Sequence, residues 1–263
     1  MKKKIMETIQ TAWAGRTCLC FDTLESTNDY AKELAGQGSV HGTLVVAESQ
    51  SAGKGRRGRV WQSPRQGNIY MSLCLEPKLA TDHAAGLTLV MALAVTEALR
   101  RTTDCDPQIK WPNDVVLNGK KICGILTEMI FQKNGGYAVI IGTGINVNTE
   151  NIPEELSSSA TSLKLETGKE TGRGALIGEI MNCFEKFYGQ YEETEDLSLL
   201  KEQYESRLAN KGRQVRVLDP GSPYNGVAKG ITPEGNLVVV CGDGTERKVY
   251  SGEVSVRGLY GYV

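Results

Sequence analysis

Histidine is nearly missing from this sequence. His41 and His83 are the only two in 263 residues, and they stand far apart without ligand spacing. That argues against a histidine-based metal centre or catalytic triad. The seven cysteines are odd in number and scattered, with no C-x-x-C pair. This usage points to reduced thiols in a cytosol rather than to a disulfide framework or a zinc site. Cys18-x-Cys20 reads as part of a strand, not as a metal site. No apolar run approaches the ~20 residues of a membrane span. Met1-Lys2-Lys3-Lys4 looks like the start of a signal sequence, but Glu7 interrupts the run from Ile5 to Gln10 before any apolar core is built, so export is rejected and a cytoplasmic address expected. Excess positive charge is lacking too: the net charge is −1 and the pI about 6.2, whereas general nucleic-acid binders carry a basic footprint. There are no internal repeats and no low-complexity segments. What remains is a chain long enough for one large domain, or one plus a small one.

The stretch that stands out runs from Ala47 to Trp61. Three glycines and four cations fall within seven residues, Gly53 to Arg59, after the strand-like Thr43 to Ala47. Glycine lets backbone N–H groups approach a ligand closely, and Arg and Lys beside such a backbone attract carboxylate or phosphate. The spacing is not that of a Walker A loop, because Gly55 follows Gly53-Lys54 and Glu48 stands five before Gly53. Four like charges this close repel, so the loop is expected to be mobile until an anion arrives. A solvated Gly-Arg-rich linker has the same composition.

Elsewhere the pattern alternates between helix and strand. Cys18 to Leu24 reads as a strand, and Ser26-Thr27-Asn28-Asp29 as the capped start of a helix with Tyr30, Ala31, Leu34 and Ala35 on one face. Ile69, Met71, Leu73 and Leu75 alternate with Tyr70, Ser72, Cys74 and Glu76, predicting a half-buried strand. Leu87 to Ala98 marks a core helix ending near Arg100-Arg101. Ile109 to Leu117 reads as one outgoing strand. Asn118-Gly119 is a hairpin turn, and Lys120 to Met129 returns, bringing Lys121 beside Asp114 to Val116. Gly124 inside that strand suggests close approach of a ligand or another backbone. A second turn, Asn134-Gly135, leads to a strand from Tyr137. Consecutive hairpins predict a largely antiparallel or mixed sheet. A long helix is expected over Leu176 to Tyr191 and a shorter one over Leu197 to Leu208. From Gly212 short strands predict a small β-barrel, with the boundary at Asn210-Lys211-Gly212.

The combination of Ser26-Thr27-Asn28, Gln50-x-x-Gly-Lys-Gly-Arg-Arg-Gly-Arg-x-Trp61, Lys110-Trp-Pro-Asn-Asp114, Lys121-x-x-Gly124-Ile-Leu, Gly142-x-Gly-Ile-Asn146 and Ser251-Gly-Glu-Val254 resembles the biotin protein ligases in order and spacing. The resemblance covers the chain from about Ser26 to Arg257. It implies an α+β fold: a mixed-sheet catalytic domain over residues 1–210 with helices on one side, then an SH3-like barrel over 211–263. It also implies two-step chemistry: biotin and MgATP give biotinyl-5′-adenylate and pyrophosphate, and a lysine of a biotin carboxyl carrier domain then takes the acyl group. A homodimer is a further expectation of this layout.

The residues suit that chemistry. Ser26, Thr27, Asn28 and Gln50 offer the neutral donors and acceptors a ureido group needs. Gly53, Lys54, Gly55, Gly124, Leu126 and Gly142 are expected to complete the biotin site. A carboxylate attacking an α-phosphate brings two anions together, which requires cations there. By resemblance Lys121 sits at that junction and Arg56 holds the intermediate; these two are the catalytic candidates. Arg56, Arg59, Trp61, Lys110, Asn113 and Asn146 are expected at the ATP, with Asn146 toward adenine. Asp114 is expected to place Mg²⁺, although a carboxylate beside Lys110 is also a plain ion pair. Lys54 stands where many members carry Arg, which keeps the charge but loses the planar fork. Only 25 residues precede Ser26, without a helix-turn-helix pattern, so no operator binding is expected. Two readings compete: a lipoate or octanoate ligase of the same fold, and a biotin-binding regulator without turnover.

Overall fold

The computed structural model describes residues 1–65, 67–133, 135–219, 221–251, 255–258 and 262–263. Asn134 of the second Asn-Gly turn and residues 252–254 of the last motif lie outside these residues.

Seven strands form the first sheet: β1 (Cys18–Leu24), β2 (Leu44–Gln50), β3 (Ile69–Leu75), β4 (Gln108–Lys110), β5 (Asp114–Leu117), β6 (Lys120–Phe131) and β7 (Tyr137–Ile145). Their order is β1-β2-β3-β7-β6-β5-β4. The β1–β2 pair is parallel and the other neighbours are antiparallel. One face carries α1 (Lys2–Thr8), α3 (Leu87–Thr102) and α5 (Arg173–Thr194). Leu44, Leu73, Val139 and Ile141 join Val90, Leu93, Ile177 and Phe184 in that core. The opposite face carries α2 (Thr27–Gln37), whose Ala31 and Ala35 cluster with Val45, Cys74, Ala138 and Ile140.

Helices therefore cover both faces, not one as the resemblance led us to expect. For the same reason β3 is buried at every position rather than half-buried. Its second face is turned to α2, where Ser72 satisfies its hydroxyl on Asn28 (2.6 Å).

The run Ile109 to Leu117 is not one strand. The chain reverses over Trp111-Pro112-Asn113, with a cis Trp111–Pro112 bond, and β4 folds back on β5 so that Lys110 stands opposite Asp114. Asn118 and Gly119, both at positive φ (50° and 77°), make the next turn into β6. The β5–β6 register then shifts between Val115 and Val116: Val115 faces Cys123, but Val116 faces Lys121. Such a bulge re-aims a side chain. Here it turns Lys121 to the side of the sheet that Asp114 occupies, leaving Ile122 fully buried.

The stretch Thr81–Thr102, a 3₁₀ turn plus α3, is long and apolar enough to cross a membrane by composition, but most of its apolar part is buried inside the protein. It is a core helix. Helix α4 (Leu163–Thr167) and a shorter α6 (Lys201–Ser206), beginning later than the periodicity suggested, complete the helices.

Strands β8 (Gln214–Leu218), β9 (Tyr224–Ile231), β10 (Leu237–Cys241), β11 (Glu246–Val249) and β12 (Ser255–Gly258) form a five-stranded antiparallel sheet ordered β11-β10-β9-β8-β12. It is seated on the first sheet through the Trp111 indole, which donates to the Gly235 carbonyl (2.9 Å). Glu205 of α6 adds a second tie, accepting from the Ile231 N–H (3.0 Å) and facing Lys201 and Lys211.

Candidate active site

The α2 face of the sheet is not covered along its whole length. Two cross-strand rows form the floor of a cleft beyond the start of α2. Tyr70, Gly144 and Gly124 stand opposite one another on β3, β7 and β6, with Asp114 next on β5. Ser72, Gly142 and Leu126 form the second row. Glycines in these rows leave the room. A Cβ on Gly142 would come within 2.2 Å of Asn28 Oδ1, and one on Gly144 within 2.5 Å of the Trp61 indole. The cleft is open to solvent and is lined by residues of β3, β6, β7, the start of α2 and the glycine-rich loop.

One end of the cleft is polar and neutral. Ser26 caps α2, its hydroxyl accepting from Asp29 N–H (3.4 Å). Thr27 donates its N–H and hydroxyl to Gln50 Oε1 (2.8 and 3.1 Å), and Gln50 Nε2 donates to the Ser63 hydroxyl (2.8 Å). Asn28 Nδ2 donates to Glu128 (2.7 Å) and to the Leu126 carbonyl (3.3 Å). These bonds fix the amide orientations of Asn28 and Gln50 before any ligand arrives.

The other end is ionic. Lys121 Nζ lies 2.6 Å from Asp114 Oδ1, and Lys110 Nζ 4.0 Å from Asp114 Oδ2. Tyr262 donates its hydroxyl to Asp114 Oδ2 (2.6 Å). Burial alone would push the Asp114 carboxyl up, but Lys121, Lys110 and the Tyr262 hydroxyl reverse this and hold it below the usual carboxylate value. Arg56 enters from the loop, donating to Asn113 Oδ1 (2.7 Å) and to the Ser251 carbonyl. Burial lowers its guanidinium below the ordinary value, and Asp114 works against that.

The glycine-rich loop is a closed hairpin. Trp61 N–H donates to Gly53 O (2.9 Å), Gly55 N–H to Arg59 O (2.7 Å), and Lys54 pairs with Val60. Its four cations diverge, which relieves the repulsion that their sequence spacing suggested. Lys54 pairs with Asp29 of α2 (2.7 Å), Arg56 turns into the cleft, and Arg57 and Arg59 are exposed. Trp61 lies over Gly124 and Gly144, 5.2 Å from Lys121 Nζ.

Residues 20–146 match the Biotin/lipoate A/B protein ligase family, and residues 212–257 the biotin protein ligase C-terminal domain. The bifunctional ligase/repressor BirA of Bacillus subtilis is 38% identical over 250 residues, covering 94% of this chain and 76% of that protein. The chain belongs to the biotin protein ligase family. A biotin–[acetyl-CoA-carboxylase] ligase of Paracoccus denitrificans is 33% identical to this ligase, covering 82% of it and 90% of the relative. The structure of the Aquifex aeolicus biotin protein ligase in complex with biotin and ATP superposes with a TM-score of 0.82 at 32% identity, covering 92% of this ligase and 99% of that chain.

Most of the side chains singled out in the ligase's sequence meet in the cleft. Ser26, Thr27, Asn28 and Gln50 line one end; Lys54, Gly55, Arg56 and Trp61 come from the loop; Asn113, Lys121, Gly124, Leu126 and Gly142 come from the sheet. Five do not line it, Asp114 among them. Gly53 serves the loop's closure, since a Cβ there would come within 2.4 Å of Trp61 O. Arg59 is exposed. Lys110 is buried beneath the Tyr262 ring, 3.7 Å from its centroid. Asn146 donates to the Thr161 carbonyl (3.0 Å). Tyr70, Met71, Ile125, Thr143 and Gly144 line the cleft without having been singled out. Tyr70 and Gly144 could have been found from Gly124, because pairing β6, β7 and β3 puts all three in one row.

Asp114, expected to place Mg²⁺, does not itself line the cleft. Its side chain is 11% exposed and faces two ammonium groups and a hydroxyl donor. Among the described residues no group of three or more His, Cys, Asp or Glu side chains is arranged to hold a metal. In this arrangement Asp114 is the counter-ion of Lys121.

Proposed function

We infer that this ligase activates biotin with ATP to biotinyl-5′-adenylate, releasing pyrophosphate, and transfers the biotinyl group to a lysine of a biotin carboxyl carrier domain, releasing AMP. The observation that carries the reading is one cleft with a neutral hydrogen-bonding end and a cationic end, joined by the glycine rows of β6 and β7. Biotin has the matching asymmetry, a neutral ureido bicycle and a carboxylate tail. The bicycle would lie toward Thr27, Asn28 and Gln50, with Leu126 as an apolar wall. The carboxylate would meet Lys121.

The work of the residues follows from charge. In the first step a carboxylate oxygen attacks the α-phosphorus and pyrophosphate departs, so negative charge gathers at Lys121 and Arg56. Preorganised cations at such a point are typically worth ~10²–10³ in rate per group removed. In the second step the lysine amine attacks the acyl carbon, the acyl–phosphate bond breaks, and the same cations stabilise the departing AMP. Trp61 over the glycine floor and the closed loop shield the anhydride from water. Mg²⁺ is assigned to ATP's phosphates in this reading, and no step is routed through a protein-bound metal.

The finer parts of the proposal are the nucleotide contacts of Trp61, Asn113, Asn146, Arg59 and Lys110, the division into domains at 210/211, and a homodimer formed at a sheet edge. A cytoplasmic address is supported by seven free thiols. The absence of operator binding is supported by the net charge of −1.

The test is biotin-dependent ATP–pyrophosphate exchange on the purified chain, with lipoate and octanoate as controls, followed by transfer of labelled biotin to a carrier domain. Exchange with biotin alone is expected. Exchange with lipoate instead would make it a lipoate ligase, and biotin binding without exchange a regulator.

A further inference from the structure

We propose that Tyr262 is a positioning residue of the ligase: its hydroxyl holds the Asp114 carboxylate in place, so that Lys121 is free to turn from Asp114 to the substrate anions. The inference rests on the function proposed above and deepens it, because nothing in the sequence motifs points to the end of the chain.

Asp114 is 8% exposed, and a buried carboxylate keeps its place only while paired and hydrogen-bonded. Three groups supply this. Lys121 lies at 2.6 Å, the Tyr262 hydroxyl at 2.6 Å and Lys110 at 4.0 Å. Of the three, only Lys121 lines the cleft. When biotin carboxylate and the α-phosphate draw the Lys121 ammonium toward them, Asp114 loses its nearest cation. Without Tyr262 no hydrogen-bond donor would then remain on it, Lys110 standing 4.0 Å away. With Tyr262 a direct donor to Oδ2 persists throughout. The Tyr262 ring adds a second restraint, lying 3.7 Å from Lys110 Nζ and holding that cation on the far side of Asp114. Tyr262 lies beyond β12, an edge strand of the C-terminal sheet. Tyr262 thus reaches the β4–β5 hairpin and tunes how firmly Asp114 restrains Lys121.

The experiment measures biotin-dependent pyrophosphate exchange on the full chain and on Tyr262→Phe, Asp114→Asn and the double variant, with a thermal midpoint for each. Tyr262→Phe keeps the ring over Lys110 and removes only the donor. The expected result is a kcat lower by about tenfold with the KM for biotin unchanged, as for a lost hydrogen bond to a charged group. On the Asp114→Asn background the same change is expected to bring no further loss, because Tyr262 acts through that carboxylate. Tyr262→Leu, which also removes the ring, is expected to fall further. An unaltered kcat in Tyr262→Phe, an equal loss on both backgrounds, or a loss confined to KM would each overturn the proposal. Absence of exchange in the unaltered protein would overturn the functional reading and this one with it.

Discussion

At the α2 end of the cleft, the side chains of Thr27, Asn28, Gln50 and Ser72 are joined to one another and to Ser63 and Glu128 by neutral or singly charged hydrogen bonds. At the β5–β6 end, Lys121, Lys110 and Asp114 are held by opposite charge, and Arg56 arrives on a loop. The first arrangement is a mould: each side chain is tied to a neighbour, and a ligand must fit it. The second is an exchange: Lys121 is paired with Asp114, and on the proposed function it takes a substrate anion as its new partner. The difference teaches which end discriminates and which end reacts. On the function proposed above, shape and hydrogen-bond direction select the acid at one end, while charge that can change partners drives the chemistry at the other.

The largest expected effect breaks the reactive end. Lys121→Ala should lower adenylate formation by ~10²–10³ while biotin affinity by calorimetry stays near the parent value. Equal losses in both would erase the distinction between the ends. Arg56→Gly should act next most strongly, and differently. Its bonds to Asn113 and the Ser251 carbonyl close the loop over the charge, so adenylate should escape and label bystander lysines roughly tenfold more, the range of one charged hydrogen bond. A mass-spectrometric count of modified lysines in an added non-carrier protein reads this out. At the moulded end, Gly142→Ala puts a Cβ within 2.2 Å of Asn28 Oδ1. The KM for biotin should rise by several-fold to about tenfold with kcat retained, the pattern of lost uniform binding. A fall in kcat at constant KM would show that the mould takes part in the chemistry.

The smallest effect sharpens the comparison by touching neither end. Burial pushes the Glu205 carboxyl up, but Lys201, Lys211 and the Ile231 N–H outweigh it and bring it down from 4.5 to about 2. A depressed folded value means stability that is present above the ordinary value and lost as pH falls through the folded one. Glu205→Gln should therefore destabilise by about 1–3 kcal/mol at neutral pH. The difference from the parent should shrink between pH 4.5 and 2, as urea midpoints at each pH would show. Exchange activity at neutral pH and room temperature should not change.

Much of this was legible from local chemistry. The Ser26 cap, the Asn118-Gly119 turn and the return of Lys121 toward Val116 follow from rules acting over a few residues, and the structure has all three. What was not legible depends on non-local packing. Nothing in the alternation of β3 shows that α2 will cover its second face, because Ser72 and Cys74 look like surface residues until Asn28 and Ala31 arrive from another element. The bulge at Val115/Val116 is invisible as well. Counted by strict alternation, Lys121 would share the side of the core residue Cys123, and the extra residue reverses this. The contact of Tyr262 with Asp114 joins residues 148 apart in the chain. The division of residues between biotin and nucleotide stays a proposal carried by resemblance, since the cleft's shape alone does not separate them.

The Trp111-Pro112-Asn113 turn serves two masters. Its first residue is bolted to Gly235 of the C-terminal sheet and its third receives Arg56. A chimera that exchanged the C-terminal sheet for that of a relative would thus do more than replace an appendage. It would re-seat the anvil on which the loop closes. Grafts that carry the partner of Trp111 along with the new sheet should keep a working loop, and grafts that ignore it should bind biotin but leak the activated product.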